Sequence, residues 1–381
     1  MILKRTFHPV GHGAFYTERF YDDMNNNIAN VVFDCGRFET AKAKWSEPKY
    51  KTWIEDYIDN YSGLRVGDTI DILFVSHFHT DHIIGVDHLL KKYNVKKIVL
   101  PLISPLHILD SLYLTRRGSN QYNTLVNFYE NCLNDNESNK ICFVNVAESP
   151  DTKVLEMDEF LNSDNLRLIS ELLLITNGLW YYKPFYQVDT TKEAELIRRL
   201  KRKFPDIFVQ GNLDRKKLIE KFKAKGAKAF KKIYEAVFGE KKHNSYSLTL
   251  FSGIHCHDKC YRKCHISMSS NSADNPRLCS VNCLYMGDYE ALNTGLNTLK
   301  SFYSYEWGRI GILQVPHHGS EKNSNDDLYS DRERLCIISA DSTDKYQHPD
   351  QPVLDAIIRN NSVPILVSEL PKTKQEYNIN F

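Results

Sequence analysis

Three imidazoles and one carboxylate fall within six residues in Ser76-His77-Phe78-His79-Thr80-Asp81-His82, which runs on into Ile83-Ile84-Gly85. They come directly after Ile70-Asp71-Ile72-Leu73-Phe74-Val75, an apolar run of strand-forming character. A buried strand that ends in a tight loop lets alternate side chains converge on one point. His77 and His79 share a parity and can grip one ion; Asp81 and His82 lie a step further on and can reach a second beside it. Imidazole with carboxylate suits zinc, whereas more carboxylate or water favours manganese or iron. Four ligand-type residues at this spacing, behind a strand and before a helix entry, weigh against a histidine-rich surface turn.

With 381 residues the chain has room for one large domain with insertions or for two domains. Its net charge of +1 says nothing about partners. No apolar run approaches the roughly 20 residues needed to span a bilayer, and the start lacks the apolar core of a signal peptide. Nine cysteines, an odd number, five of them crowded together, read as reduced thiols or metal ligands rather than an oxidised framework. The expectation is a soluble, cytoplasmic protein with no membrane partner.

His-x-His-x-Asp-His behind a strand resembles the metal motif of the metallo-β-lactamase fold superfamily. Downstream signatures resemble one branch of it, the hydrolase domain of the competence protein ComEC/Rec2. These are Asn244-x-x-Ser247-Leu248, Gly287-Asp288 at a strand end, His317-His318-Gly319-Ser320 after Ile310–Val315, and Tyr346-Gln347-His348-Pro349 after Cys336–Asp341. The resemblance implies an αββα sandwich, and the strand–metal loop–helix–strand order of residues 70–101 agrees with it. It also implies that Asp34, in Asp34-Cys35-Gly36, orients a ligand histidine from behind. Asp288 is the implied bridge between two metals. His317 is expected to complete the second metal's shell, with His318 beside it, and His348 to hydrogen-bond a phosphate oxygen or protonate a leaving group. The superfamily's further histidine, which finishes the first metal's shell, has no convincing counterpart; the candidates are His107 and His243.

The family-like sequence falls into two halves, 1–104 and 244–381, around a mostly helical insertion at 105–243. In the first half, Trp53-Ile54-x-x-Tyr57-Ile58 has helical spacing and is expected to pack on the sheet; His88 is read as a surface or packing residue. Within the insertion, residues 192–243 carry 17 Lys/Arg against 7 Asp/Glu. Leu218, Ile219 and Phe222 form an apolar stripe under a lysine-rich face, which would suit a phosphodiester backbone or simply be solvated. A second, Cys/His-rich insertion spans 255–283. There Cys256, Cys260, Cys264, Cys279 and Cys283 have spacings that a structural zinc can use.

The expected protein is a metallo-hydrolase holding two divalent cations, zinc or manganese, that activate a water molecule, with Asp81 orienting it. The substrate reading is a phosphodiester, with DNA or RNA as partner. The alternatives are a small-molecule ester, lactone or phosphoester hydrolase, or a metal-bound subunit of a protein assembly, since fold alone does not choose.

Overall fold

The computed structural model describes residues 1–37, 47–102, 108–109, 125–130, 140–144, 154–163, 168–169, 172–175, 179–187, 189–225, 227–239, 246–255, 265–268, 281–342 and 347–380. Among them, nine strands form one sheet. From edge to edge they are His265–Met268, Gln375–Asn380, Ile2–Phe7, Phe15–Tyr21, Asn27–Cys35, Thr69–Phe74, Asn94–Pro101, Ile141–Val144 and Leu168–Ile169. A second sheet runs Val363–Val367, Leu335–Ser339, Ile310–Gln314, Asn282–Tyr285, Thr249–Ile254, Trp180–Phe185, Leu172–Ile175 and Val154–Glu156.

The inner faces of the two sheets share one core, and alternation along the strands decides which side chains enter it. Cys283, Tyr285, Ile312 and Ile337 point into it, whereas their neighbours Leu284, Leu313, Cys336 and Ile338 belong to a second core. That outer core is closed by helices Asn293–Phe302, through Leu296 and Leu299, and Gln351–Arg359, through Val353, Ala356 and Ile357. A strand covered on both faces reads as an unbroken apolar run, which is why Ile310–Val315 and Leu335–Ile338 show no alternation. The helix Glu47–Tyr61 buries Ile54, Tyr57 and Ile58, as its spacing predicts. The layered α/β sandwich is therefore present.

A charged network joins the sheets through their shared core. Arg5 Nε donates to Glu18 Oε1 at 2.6 Å, and both side chains are buried. From the opposite sheet, Ser252 Oγ donates to Glu18 Oε2 at 2.7 Å and Tyr285 Oη to Glu18 Oε1 at 2.8 Å. Arg5 also donates to the Val281 carbonyl at 2.6 Å. A buried pair is tolerated only when its remaining donors and acceptors are satisfied in this way.

The middle of the chain contains strands as well as helices. Residues 141–144 and 168–169 extend the first sheet, and 154–156, 172–175 and 180–185 extend the second. The longer described helices of this region are Thr190–Lys203, Arg215–Lys225 and Ala227–Phe238. They bury Leu196, Leu200, Leu218, Ile219, Phe222, Phe230 and Tyr234 against one another, which turns their lysines outward. The chain also leaves Thr249–Ile254, adds His265–Met268 to the edge of the other sheet, and returns at Asn282–Tyr285. Cys256, Cys260, Cys264 and Cys279 lie outside the described residues. Cys283 is fully buried in its strand, and burial pushes its thiol up to about 12. Its side chain lies in the core shared by the two sheets. Among the described residues no helix is long and apolar enough to cross a membrane.

Candidate metal centre

Asn27–Cys35 and Thr69–Phe74 are parallel neighbours in the first sheet; Asn282–Tyr285, Ile310–Gln314 and Leu335–Ser339 are parallel neighbours in the second. Their carboxyl ends deliver Asp34, the His77–His82 loop, Asp288, His317-His318 and Asp341. Crevices at the carboxyl ends of parallel strands are the usual place for a site in such folds.

The backbone of this site is tightly specified. Asp34 sits at φ +55°, where a short polar side chain is tolerated. Its Oδ1 accepts from the Ser76 N–H and its Oδ2 from Ser76 Oγ, both at 2.6 Å. Gln314 braces the Asp288 turn: its Oε1 accepts from the N–H groups of Met286 and Gly287, each at 2.7 Å. Ser247 Oγ accepts from the Asp288 N–H at 3.1 Å. Gly287 lies at φ +54°, and a Cβ there would come within 2.7 Å of the Ser76 Cβ. The two loops approach this closely only because residue 287 has no side chain. His317 and His318 are both left-handed, at φ +48° and +58°, a conformation that costs a non-glycine residue free energy and recurs at functional sites.

Three of the histidines face Asp288 with the same ring orientation. His318 Nδ1 donates to the Ser339 carbonyl at 2.7 Å. His82 Nδ1 donates to Asp34 Oδ2 at 2.8 Å. Because the Ser76 hydroxyl hydrogen goes to Asp34, Ser76 Oγ accepts from His77 Nδ1 at 3.0 Å. Each Nδ1–H is thus committed, and each Nε2 points inward. Those three Nε2 atoms are buried and make no hydrogen bond.

Asp288 offers one oxygen to each of two groups. Its Oδ2 lies 3.5 Å from His77 Nε2 and 3.5 Å from His317 Nδ1, and the His79 ring stands 4.5 Å from that of His77. Its Oδ1 lies 3.3 Å from His82 Nε2 and 3.8 Å from His318 Nε2, and Asp81 Oδ2 is 3.4 Å from His318 Nε2. Of the two adjacent histidines, His318 faces the Asp81–His82 side and His317 the His77 side. Their left-handed backbone turns successive side chains in directions that a strand's alternation does not give.

The protonation pattern follows from this crowding. Burial lowers the His77 pKa well below the ordinary histidine value, and His82 beside it adds to the effect. Burial also lowers His317, to about 4, against the pull of Asp288. For His82 burial is outweighed by Asp288, Asp34 and Asp81, which raise its pKa well above the ordinary histidine value, so a cation bound at Nε2 would displace the proton there. His318 is likewise raised against burial, by Asp81 and Asp288. Asp81 and Asp288 stay ionised despite burial because of the imidazoles around them. Buried imidazole nitrogens without hydrogen bonds, converging on ionised carboxylates, fit a divalent cation. His77, His82 and Asp288 form one set of donors close enough to share an ion, and His12, Asp81 and His318 another.

His348 lies at the rim, its ring 6.3 Å from that of His317, with Nδ1 3.2 Å from Asp350 Oδ1. His88 bonds Asp59 at 2.8 Å and packs away from the site, as expected. His107 and His243 lie outside the described residues. His12 is the residue that the motifs missed. Its only sequence signal is its place between two glycines, Gly11-His12-Gly13.

Residues 26–151 match the metallo-beta-lactamase superfamily, so the chain carries a domain of that superfamily. The matched span includes Asp34 and the His77–His82 loop and stops before Asp288. No curated protein matches the chain in sequence. The crystal structure of unliganded yeast PDE1 is similar at a TM-score of 0.37 and 10% identity, covering 99% of this chain and 99% of that one.

Proposed function

We propose that this chain, built on a metallo-beta-lactamase superfamily domain, is a metal-dependent phosphodiesterase, and that its substrate is nucleic acid. The observation that carries the reading is Asp288, whose Oδ2 faces His77 and His317 and whose Oδ1 faces His82 and His318. His77, His79, His317 and Asp288 would hold a first cation. Asp81, His82, His318 and Asp288 would hold a second. On this reading His317 fills the place of the missing histidine of the first site. Bound there, zinc or manganese supplies Lewis acidity, lowering the pKa of a water and neutralising charge on the phosphoryl oxygens.

The chain's own residues supply orientation and protons. Asp34, Ser76 and Ser339 fix the rings so that lone pairs face inward. Asp350 holds the His348 ring through Nδ1, and His348 would give a proton to a departing oxygen. Asp81, ionised at the site, orients the attacking water.

Two features favour a phosphodiester. One is the likeness of His317-His318-Gly319-Ser320 and His348-Pro349 to the ComEC-like pattern. The other is a cavity of about 530 Å³ between helices Thr190–Lys203 and Ala227–Phe238, lined by Arg199, Arg202, Lys203, Lys228 and Lys232. Arg199 is paired with Glu195; the other four cations have no acidic partner among the described residues. A cationic groove of this kind suits a phosphate backbone.

The test is metal-dependent cleavage of a bis-aryl phosphate and of single- and double-stranded DNA and RNA, with Asp288→Ala as control. Diester cleavage that Asp288→Ala abolishes is expected. Cleavage of esters or lactones with no diester turnover would overturn the reading.

A further inference from the structure

We infer that His12 is a fifth protein ligand of the second cation position, which makes that position suited to a six-coordinate divalent cation such as Mn²⁺ rather than to tetrahedral zinc. The inference rests on the paired-cation reading above and goes beyond it in both ligand and metal. His12 comes from the turn between Ile2–Phe7 and Phe15–Tyr21, far in sequence from the other donors. It is 6% exposed, and its ring centroid stands 3.8 Å from that of His318. Donor atoms of His12, Asp81 and His318 all lie within 4.8 Å of one another, as do those of His77, His82 and Asp288.

The turn is built to hold this position. The His12 N–H donates to Asp341 Oδ1 at 2.9 Å. Gly11 has φ +69°, and a Cβ there would fall 1.8 Å from the same oxygen. The Ala14 N–H donates to the Asp81 carbonyl at 3.2 Å, tying the turn to the metal loop itself. His12 is therefore fixed against both the strand end that carries Asp341 and the loop that carries Asp81.

His82 Nε2 lies 3.8 Å from Asp81 Oδ2, and Asp288 Oδ1 lies 3.8 Å from His318 Nε2, so the His12–Asp81–His318 group joined to His82 and Asp288 would offer five nitrogen and oxygen donors. A tetrahedral zinc site accepts three or four, whereas an octahedral cation accepts five and keeps one position for water or substrate. The first position, with His77, His79, His317 and Asp288, stays within the zinc range.

The test is metal binding, which needs no substrate. Metal-free wild type and His12→Gln are titrated with Mn²⁺ and free Mn²⁺ is read by electron paramagnetic resonance; Co²⁺-loaded samples are read by visible absorption. Wild type is expected to bind two Mn²⁺ per chain. His12→Gln should bind one of them about tenfold or more weakly and give stronger Co²⁺ absorption, because losing a ligand moves that ion away from six-coordination. Asp341→Asn, which keeps the imidazole but weakens the hold on its turn, should shift the same site by less. Unchanged Mn²⁺ affinity and Co²⁺ spectrum in His12→Gln, with wild-type melting of the metal-free protein, would overturn the inference. Should His12→Gln melt early, the Asp341→Asn titration decides: an unchanged second site there overturns it too. Two-site binding that depends on His12 in a protein that cleaves no diester would keep this inference and overturn the substrate reading alone.

Discussion

Asp34 accepts the His82 Nδ1–H at 2.8 Å while its two oxygens also take both Ser76 donors. One buried carboxylate thereby sets the ring of His82 directly and that of His77 through the Ser76 hydroxyl. Outer partners of this kind are worth about 10–100-fold in metal affinity. Asp34→Ala should weaken binding of the first two equivalents of Zn²⁺ by that order in a competition titration. It should also destabilise the metal-free protein by about 1–3 kcal/mol, because the Ser76 N–H is left without an acceptor. Unchanged affinity would mean that the rings are oriented by packing alone.

The Arg5–Glu18 pair concerns folding rather than the site. Removing one partner leaves the other charge buried, so Glu18→Leu or Arg5→Met should each cost about 3–5 kcal/mol in chemical denaturation. The double variant should cost less than the larger single effect, since no lone charge remains. A strictly additive double variant would contradict a direct coupling.

His8 gives a prediction for pH. It is fully buried, bonded to Thr17 Oγ1 at 2.9 Å and near Tyr57 Oη at 3.2 Å, and burial lowers its pKa well below 6.5. The unfolded chain takes up a proton near pH 6.5 that the folded chain refuses. The stabilisation is therefore complete above that pH and is lost as pH falls, by up to about 1.4 kcal/mol per unit. His8→Gln, which keeps polar contacts but does not titrate, should show a shallower loss of stability between pH 6.5 and 5. Equal slopes for variant and wild type would show that His8 is charged in the fold.

The cationic groove is tested by salt. Lys203→Glu and Lys228→Glu should weaken DNA binding and reduce the slope of log affinity against log salt by about one unit each. Turnover of a bis-aryl phosphate, which has no extended phosphate backbone for the groove to hold, should be unchanged. A slope equal to wild type would leave the lysines as a solvated face.

Much of the candidate site was legible because the residues proposed as ligands sit at strand ends. The His77–His82 spacing and the carboxylate after Asn282–Tyr285 announce themselves in one dimension, as does the Asp34 turn. What stayed hidden depends on backbone directions. Whether His317 or His318 faces Asp81 is decided by two left-handed residues, and His12 looks like any residue between turn glycines. The strands at 141–185 are short apolar runs whose period does not separate strand from helix, so they read as part of an insertion. Cys283 lies four residues after Cys279, a spacing fit for zinc, but strand alternation turns its side chain into the sandwich core.

The most direct measurement is an anomalous difference map from crystals grown with Mn²⁺ or Zn²⁺. Two peaks are predicted, one on each side of Asp288: the first within bonding distance of His77 and His317, the second of Asp81, His82 and His318. A map with no peak between Asp288 and the His77–His82 loop, or with Asp288 turned away from it, would contradict the paired-cation centre.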